Sequence, residues 1–356
     1  MYIQTAISAR LQPTKGVFAV DMQRVFLIPI MKAKSCYFTS RLQVYNETFA
    51  SLSGTADVCV VWHEATTGRG AADVASAYVL FMEEYRYRFS EFLFWADNCS
   101  SQNKNRTLFS ALLILVNSPQ GPYKVTIQYL ERGHTFMRAD AIHGLISSAV
   151  HRKSQIESFA ELVETISTSK TNIDCQILTE SKTRPFSSVK LRNAATTPLR
   201  QMKCVEFVKG QHQIFYKTRL GATNHPLTLL PPAQQLPSMP DAVLIPRGIK
   251  ATKKAGILSN LVPLMAAESA SFWNSLPILT SAHDSVASTF EYSSVSLTEF
   301  SISVLFLFPL SLFLKQLFGP ICDIIGIDAS SFDSFSLLNS SESWLAQPQT
   351  ERLAQI

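Results

Sequence analysis

F-L-F-W-A-D-N-C-S-S-Q-N-K-N, Phe92 to Asn105, joins a strand pattern, a polar turn and the start of a helix pattern in 14 residues. Its first five residues form an apolar run of strand character that ends on an acid, Asp97. A polar turn follows, and then an apolar run at helical spacing from Thr107 to Val116. An aspartate at the end of a buried strand costs free energy unless hydrogen bonds, a cation or a metal compensates it. Two other acids in the first half stand in comparable places, Asp21 after V-F-A-V and Asp140 inside a helical pattern. Three spaced carboxylates of this kind are what metal-dependent phosphoryl transfer requires.

Working outward, G-V-F-A-V-D-M-Q reads as a first buried strand ending near Asp21. Residues 24–35 read as a connection. Cys36 to Phe49 alternates aromatic and β-branched residues as one long second strand should, and D-V-C-V-V-W-H-E is the third, with a turn at Gly54 between them. Ala71, Val74, Ala75, Tyr78 and Val79 recur at helical spacing and predict a helix over 70–86. Ser90 to Asp97 is the fourth strand, Ser101 to Asn117 the second helix and Tyr123 to Leu130 the fifth strand. Thr135 is a candidate cap for a helix through Met137, Ile142, Ile146 and Val150, and a further helix spans Ser154 to Thr168. Three leading strands joined by turns should be antiparallel, and later strands separated by helices parallel. The expectation is an α/β protein with a ribonuclease H-like, mixed five-stranded sheet and helices on both faces. In that sheet the first and fourth strands are neighbours, so Asp21 and Asp97 converge and Asp140 approaches from the side. His143, three residues on, shares the helical face of Asp140 and is placed to position water or a phosphate.

Charge is unevenly spread. Residues 1–170 carry 17 Lys+Arg and 14 Asp+Glu, residues 171–280 carry 13 and 5, and residues 281–356 carry 2 and 8. The chain therefore divides into a leader (1–15, or the remnant of a longer N-terminal region), the sheet domain (16–170), a basic extension with a small hairpin and a short helix (171–280), and a Ser-rich tail (281–356), disordered or loosely packed. A basic segment beside a carboxylate-bearing domain suits a polyanion such as DNA, and RNA equally; solubility alone also explains it. The six cysteines show no C-x-x-C pair, which speaks against a zinc finger or a disulfide framework. The N-terminus lacks the apolar core of a signal peptide, so a nuclear or cytoplasmic location is expected. Within the apolar stretch 302–327, the strongly apolar run Val304 to Leu314 is interrupted by Pro309 and stopped by Lys315, about half the ~20 residues of a spanning helix.

Each candidate has a plain structural alternative. Asp97 with Asn98 serves equally as a turn or helix cap. Gln102, Asn103 and Lys104, with Lys190 and Arg192 of the basic segment, are candidate nucleic-acid contacts, against capping and a solvated turn. Glu64 is either a fourth acid or a rim salt bridge to Arg69. His134 either lines the site or belongs to a cap formed by Thr135. The phosphate-loop, G-x-S-x-G and H-E-x-x-H patterns do not occur.

D-M-Q, V-Y-N, W-H-E-x-x-x-x-R-G-A-x-x-V-A-S, A-D-N-C-x-x-Q-N-K-N and G-H-T-x-M-x-x-D-x-x-H-G, with R-G-I-K-A-T-K-K and F-W-N-S-L-P further on, together resemble an uncharacterised, transposable-element-derived eukaryotic family with a ribonuclease H-like core of the transposase or integrase type. The likeness spans about residues 16–280. It implies that Asp21, Asp97 and Asp140 hold two Mg2+ or Mn2+ ions, with His143 beside the third acid. The third acid is Asp here, where Glu is commoner among transposases. Two readings follow: a metal-dependent nuclease or strand transferase acting on DNA phosphodiesters, or a catalytically inactive, domesticated module that binds nucleic acid or protein through 182–254.

Overall fold

The computed structural model describes residues 2–100, 102–131, 137–190, 199–219, 221–231 and 235–279. The chain opens with a helix, α1 (Tyr2–Ala9), and runs into β1 (Lys15–Met22), the short β2 (Phe26–Ile28) and a single helical turn, α2 (Ser35–Phe38). The hairpin β3 (Leu42–Ser51) and β4 (Asp57–His63) follows, then α3 (Ala71–Tyr85), β5 (Glu91–Ala96), α4 (Arg106–Asn117), β6 (Lys124–Tyr129), α5 (Arg138–Arg152) and α6 (Phe159–Ser167). The basic segment adds β7 (Ile173–Ile177), β8 (Cys204–Val208), β9 (Ile214–Lys217), β10 (His225–Leu227), α7 (Ala251–Asn260) and α8 (Ala270–Ser275).

All ten strands join one mixed sheet in the order β10-β9-β8-β6-β5-β1-β3-β4-β7, with β2 also paired to β3. The β1–β3 and β3–β4 pairs are antiparallel, and β1–β5 and β5–β6 are parallel. β1 and β5 are thus neighbours, as expected of the first and fourth strands. The sheet has ten strands where five were expected, and the reason lies at its edges. A five-strand sheet would leave the backbone groups of β4 and β6 unpaired, an invitation to association. β7 covers β4 in parallel register, and the hairpin β8–β9 covers β6 antiparallel.

Period-two alternation sends β1 side chains to two cores. Phe18 and Val20 face α3 and α4 in an aromatic layer where Phe49 and Phe81 stack with centroids 4.1 Å apart. Val17 and Ala19 face α5 and α6, with Trp95, Ile142, Ile146, Leu162 and Trp273. Trp273 of the F-W-N-S-L-P stretch donates its indole N–H to the Glu157 carbonyl at 2.9 Å, which fastens the C-terminal helices to this second face.

Other differences from expectation have local causes. Cys36 to Phe49 is not one strand: a helical turn ends at Phe38 and β3 begins only at Leu42. Aromatic and β-branched residues favour strands, but here the Thr39 N–H returns to the Ser35 carbonyl at 3.0 Å, and Tyr37 and Phe38 find no core to enter. α4 begins at Arg106 because the Asn105 side chain accepts the Leu108 N–H at 2.8 Å, capping the helix. Residues 2–9 are helical, with the Tyr2 ring against Trp95 at 5.4 Å, so that part of the expected leader is packed on the sheet. Gly54 turns the β3–β4 hairpin at φ +87°, which only glycine adopts freely. Among the described residues, Cys36, Cys59, Cys175 and Cys204 are free thiols. Among the described residues no helix is long and apolar enough to cross a membrane. The tail 281–356, the stretch 302–327, and Arg192, His134 and Thr135 lie outside the described residues.

Candidate metal centre

Asp21 is the next residue of the Val17–Ala19 alternation, so its carboxylate emerges on the α5 face at the carboxyl end of β1. Two side chains of α5 meet it there. Ligand atoms of Asp21, Asp140 and His143 all lie within 4.8 Å of one another, and His143 Nδ1 is 3.9 Å from Asp21 Oδ2. The register of α5 over β1 is held by Gln23, which donates to the His143 carbonyl at 3.1 Å and to Ser147 Oγ at 3.2 Å, and accepts from Asn46 Nδ2 at 2.9 Å. Asp140 has a structural task as well: its Oδ2 accepts the Met137 N–H at 2.7 Å and caps α5.

Burial, then the nearby charges of Asp97 and Asp140, raises the Asp21 pKa to about 7. Burial lowers the His143 pKa to about 4 against the opposing pull of Asp140, so the ring is neutral at pH 7 and its contact with Asp21 is no ion pair. His143 Nε2 is buried with no hydrogen-bond partner among the described residues.

Asp97 does not join that tight group. At the end of β5 its Oδ1 accepts the Cys99 N–H at 3.0 Å and Asn103 Nδ2 at 2.7 Å. Asn103 is fully buried and also accepts from the Tyr78 hydroxyl at 3.3 Å and, through its carbonyl, from Tyr129 at 2.7 Å. Lys104 is 5% exposed, donating to Asn98 Oδ1 at 2.9 Å with its Nζ 4.4 Å from the centre of the Tyr129 ring. The nucleic-acid contacts expected of Asn103 and Lys104 are therefore corrected: both point inward and build the turn that carries Asp97. Gln102 is partly exposed and Lys190 exposed. Glu64 is a rim ion pair, with Lys253 at 2.6 Å in place of the expected Arg69.

A fourth acid escaped the sequence reading. Glu47, in the middle of β3, is fully buried, and neither carboxylate oxygen has a hydrogen-bond partner among the described residues. Its pKa lies well above the usual carboxylate range because of burial, then the charges of Asp21 and Asp97. The signal was present: an acid two residues from both Tyr45 and Phe49, in a strand read as half-buried, would stand on the face of those aromatic rings and costs free energy there. Asp21 thus stands electrostatically between two sets, Asp140 with His143 and Glu47 with Asp97.

Residues 78–217 match the model of a domain of unknown function, DUF7869. The match takes in Asp97, Asp140 and His143, while Asp21 and Glu47 lie upstream of it. No curated protein and no solved structure matches the chain significantly.

Proposed function

We propose that this chain is a metal-dependent nuclease or strand transferase with a ribonuclease H-like, transposase-type core acting on DNA phosphodiesters. The observation that carries the reading is the convergence of Asp21, Asp140 and His143 within 4.8 Å, from elements far apart in sequence. Supporting it is the central strand order β4-β3-β1-β5-β6, with two antiparallel and two parallel pairings and acids at the ends of the adjacent strands β1 and β5.

The donor set fits divalent cations. Two carboxylates, a neutral imidazole with an unpartnered nitrogen and a buried unpartnered carboxyl are costly without a cation and favourable with one. Carboxylates alone suit Mg2+; the imidazole shifts preference towards a transition-series ion such as Mn2+. Asp21, Asp140 and His143 would hold one ion; Asp97, outside that group, would stand beside a second, with the Glu47 carboxyl on the other face of the sheet adding negative charge. Two such ions supply the positive charge that stabilises attacking and leaving oxygens in phosphoryl transfer. Gln23 and Asn46 keep α5 in register with β1, and Asn103 holds Asp97 in place. The test is nicking of supercoiled plasmid by the purified full chain in Mn2+. Asp21→Asn is expected to reduce the rate at least ~100-fold, since ligand loss removes most of the charge stabilisation. Nicking by Asp21→Asn at the parent's rate would sink the catalytic reading.

A further inference from the structure

β1 and β2 both pair with β3 on the side away from β4, so β2 continues the line of β1 past Asp21. The turn that follows therefore lies beyond the end of the sheet that carries the acids. From Thr48, opposite Asp21, to Leu42 is six strand residues, on the order of 20 Å. Near its far end Tyr37 and Phe38, consecutive residues of α2, are 84% and 81% exposed, with Leu27 at 40%. A single exposed aromatic is ordinary, but two adjacent rings held out on a braced turn are not. The brace is explicit: Cys36 is buried in the second core, Arg41 donates to the Leu27 and Pro29 carbonyls at 3.2 Å each, and Ile30 bridges to Ile156.

Charge indicates what would cover these rings. Between Asp21 and Glu47 the chain carries Arg24, Lys32, Lys34 and Arg41 and no acid. Arg24, Lys32 and Lys34 are exposed, and among the described residues none of them forms an ion pair. Flat apolar faces beside unneutralised cations match an unpaired nucleic-acid strand, whose bases stack while its phosphates take the positive charge. Duplex DNA offers the phosphates but hides the base faces.

We propose that Tyr37 and Phe38, with Lys32 and Lys34, form a stacking platform that holds single-stranded nucleic acid leading towards the acidic end of the sheet. The choice of a polyanion rests on the nuclease reading; the binding itself does not need catalysis. The experiment is fluorescence anisotropy of a labelled 20-nucleotide oligo(dT) with the full chain in EDTA, with the same length of RNA and of duplex DNA as further arms. Stacking is worth roughly 1–3 kcal/mol per base, so Tyr37→Ala/Phe38→Ala is expected to raise Kd for the single strand at least ~10-fold, with an unchanged melting temperature and little change for duplex. Lys32→Ala/Lys34→Ala is expected to flatten the log Kd against log salt slope by about 1.4, at ~0.7 per phosphate contact. In Tyr37→Trp, added oligonucleotide should quench the new indole. An unchanged single-strand Kd in the double alanine variant would overturn the proposal and leave the aromatic pair as a protein contact. Binding kept while nicking is absent sinks the catalytic reading alone; nicking kept while this binding is indifferent to the two rings sinks this one alone.

Discussion

At neutral pH Asp21 sits between its charged and neutral forms, and this has a measurable consequence. The folded protein holds its proton up to about pH 7, whereas an unfolded chain releases it near 3.8. Without metal, Asp21 therefore subtracts stability progressively as pH rises from about 4 to about 7. Asp21→Asn removes that loss, so its gain in metal-free melting temperature over the parent should be larger at pH 8 than at pH 5. The gap corresponds to at most a few kcal/mol, at ~1.4 per pH unit. His143 runs the other way: its folded pKa of about 4 contributes stability above pH 6.5 that is lost on acidification towards 4. The parent's profile combines these slopes with that of Glu47, whose raised pKa acts in the same direction as Asp21's, so Asp21→Asn should move the profile towards the histidine's, read by thermal melts from pH 4 to 8. Glu47 gives a second prediction. A buried carboxyl without partners weakens the fold, so Glu47→Leu should raise metal-free stability by roughly 1–3 kcal/mol while reducing Mn2+ binding. A destabilised variant would mean that Glu47 holds the fold, not a cation.

At the level of elements, the passages with one clean period were legible and those with two plausible periods were not. The helix from Ala71 to Tyr85 and the strand from Glu91 to Ala96 follow the alternation read from sequence. The Cys36–Phe49 passage failed because its aromatic residues favour a strand by propensity, whereas burial, which decides, is a tertiary property. Buried ion pairs are likewise invisible in sequence. Asp57, at the start of β4 and 1% exposed, is paired with Lys170 and with Arg138 at 3.3 Å, and accepts the Ser51 N–H at 2.9 Å. It ties the β3–β4 hairpin to α5 and to the chain entering β7. Asp57→Ala would leave two cations and an amide without their partner, a loss of about 2–4 kcal/mol by chemical denaturation, moderated because both cations remain partly solvated. A change under 0.5 kcal/mol would show that the triad contributes little beyond its solvated parts.

Across the whole molecule, the basic segment completes the sheet domain it follows. Its hairpin closes the β6 edge, Val205 and Phe207 enter the aromatic core, and Trp273 and Leu276 enter the second core. Sequence pattern located the hairpin but not its partner, because strand pairing between distant segments leaves no periodic trace. A chain cut after residue 170 should accordingly show no cooperative thermal transition, whereas a chain ending near 280 should retain one. The acids follow the same rule. Asp21, Asp97 and Asp140 could be picked out because each ends or opens an element, while Glu47 was hidden inside a strand. In the proposed site Asp21 meets Asp140 and His143 directly, while Asp97 and Glu47 are linked to it through charge. The most direct measurement is Mn2+ titration of the full chain by electron paramagnetic resonance at pH 8. Saturable binding is expected, weakening at pH 6, where Asp21 regains its proton, and falling at least ~10-fold in affinity in Asp21→Asn. Binding of equal affinity in parent and Asp21→Asn would contradict that expectation.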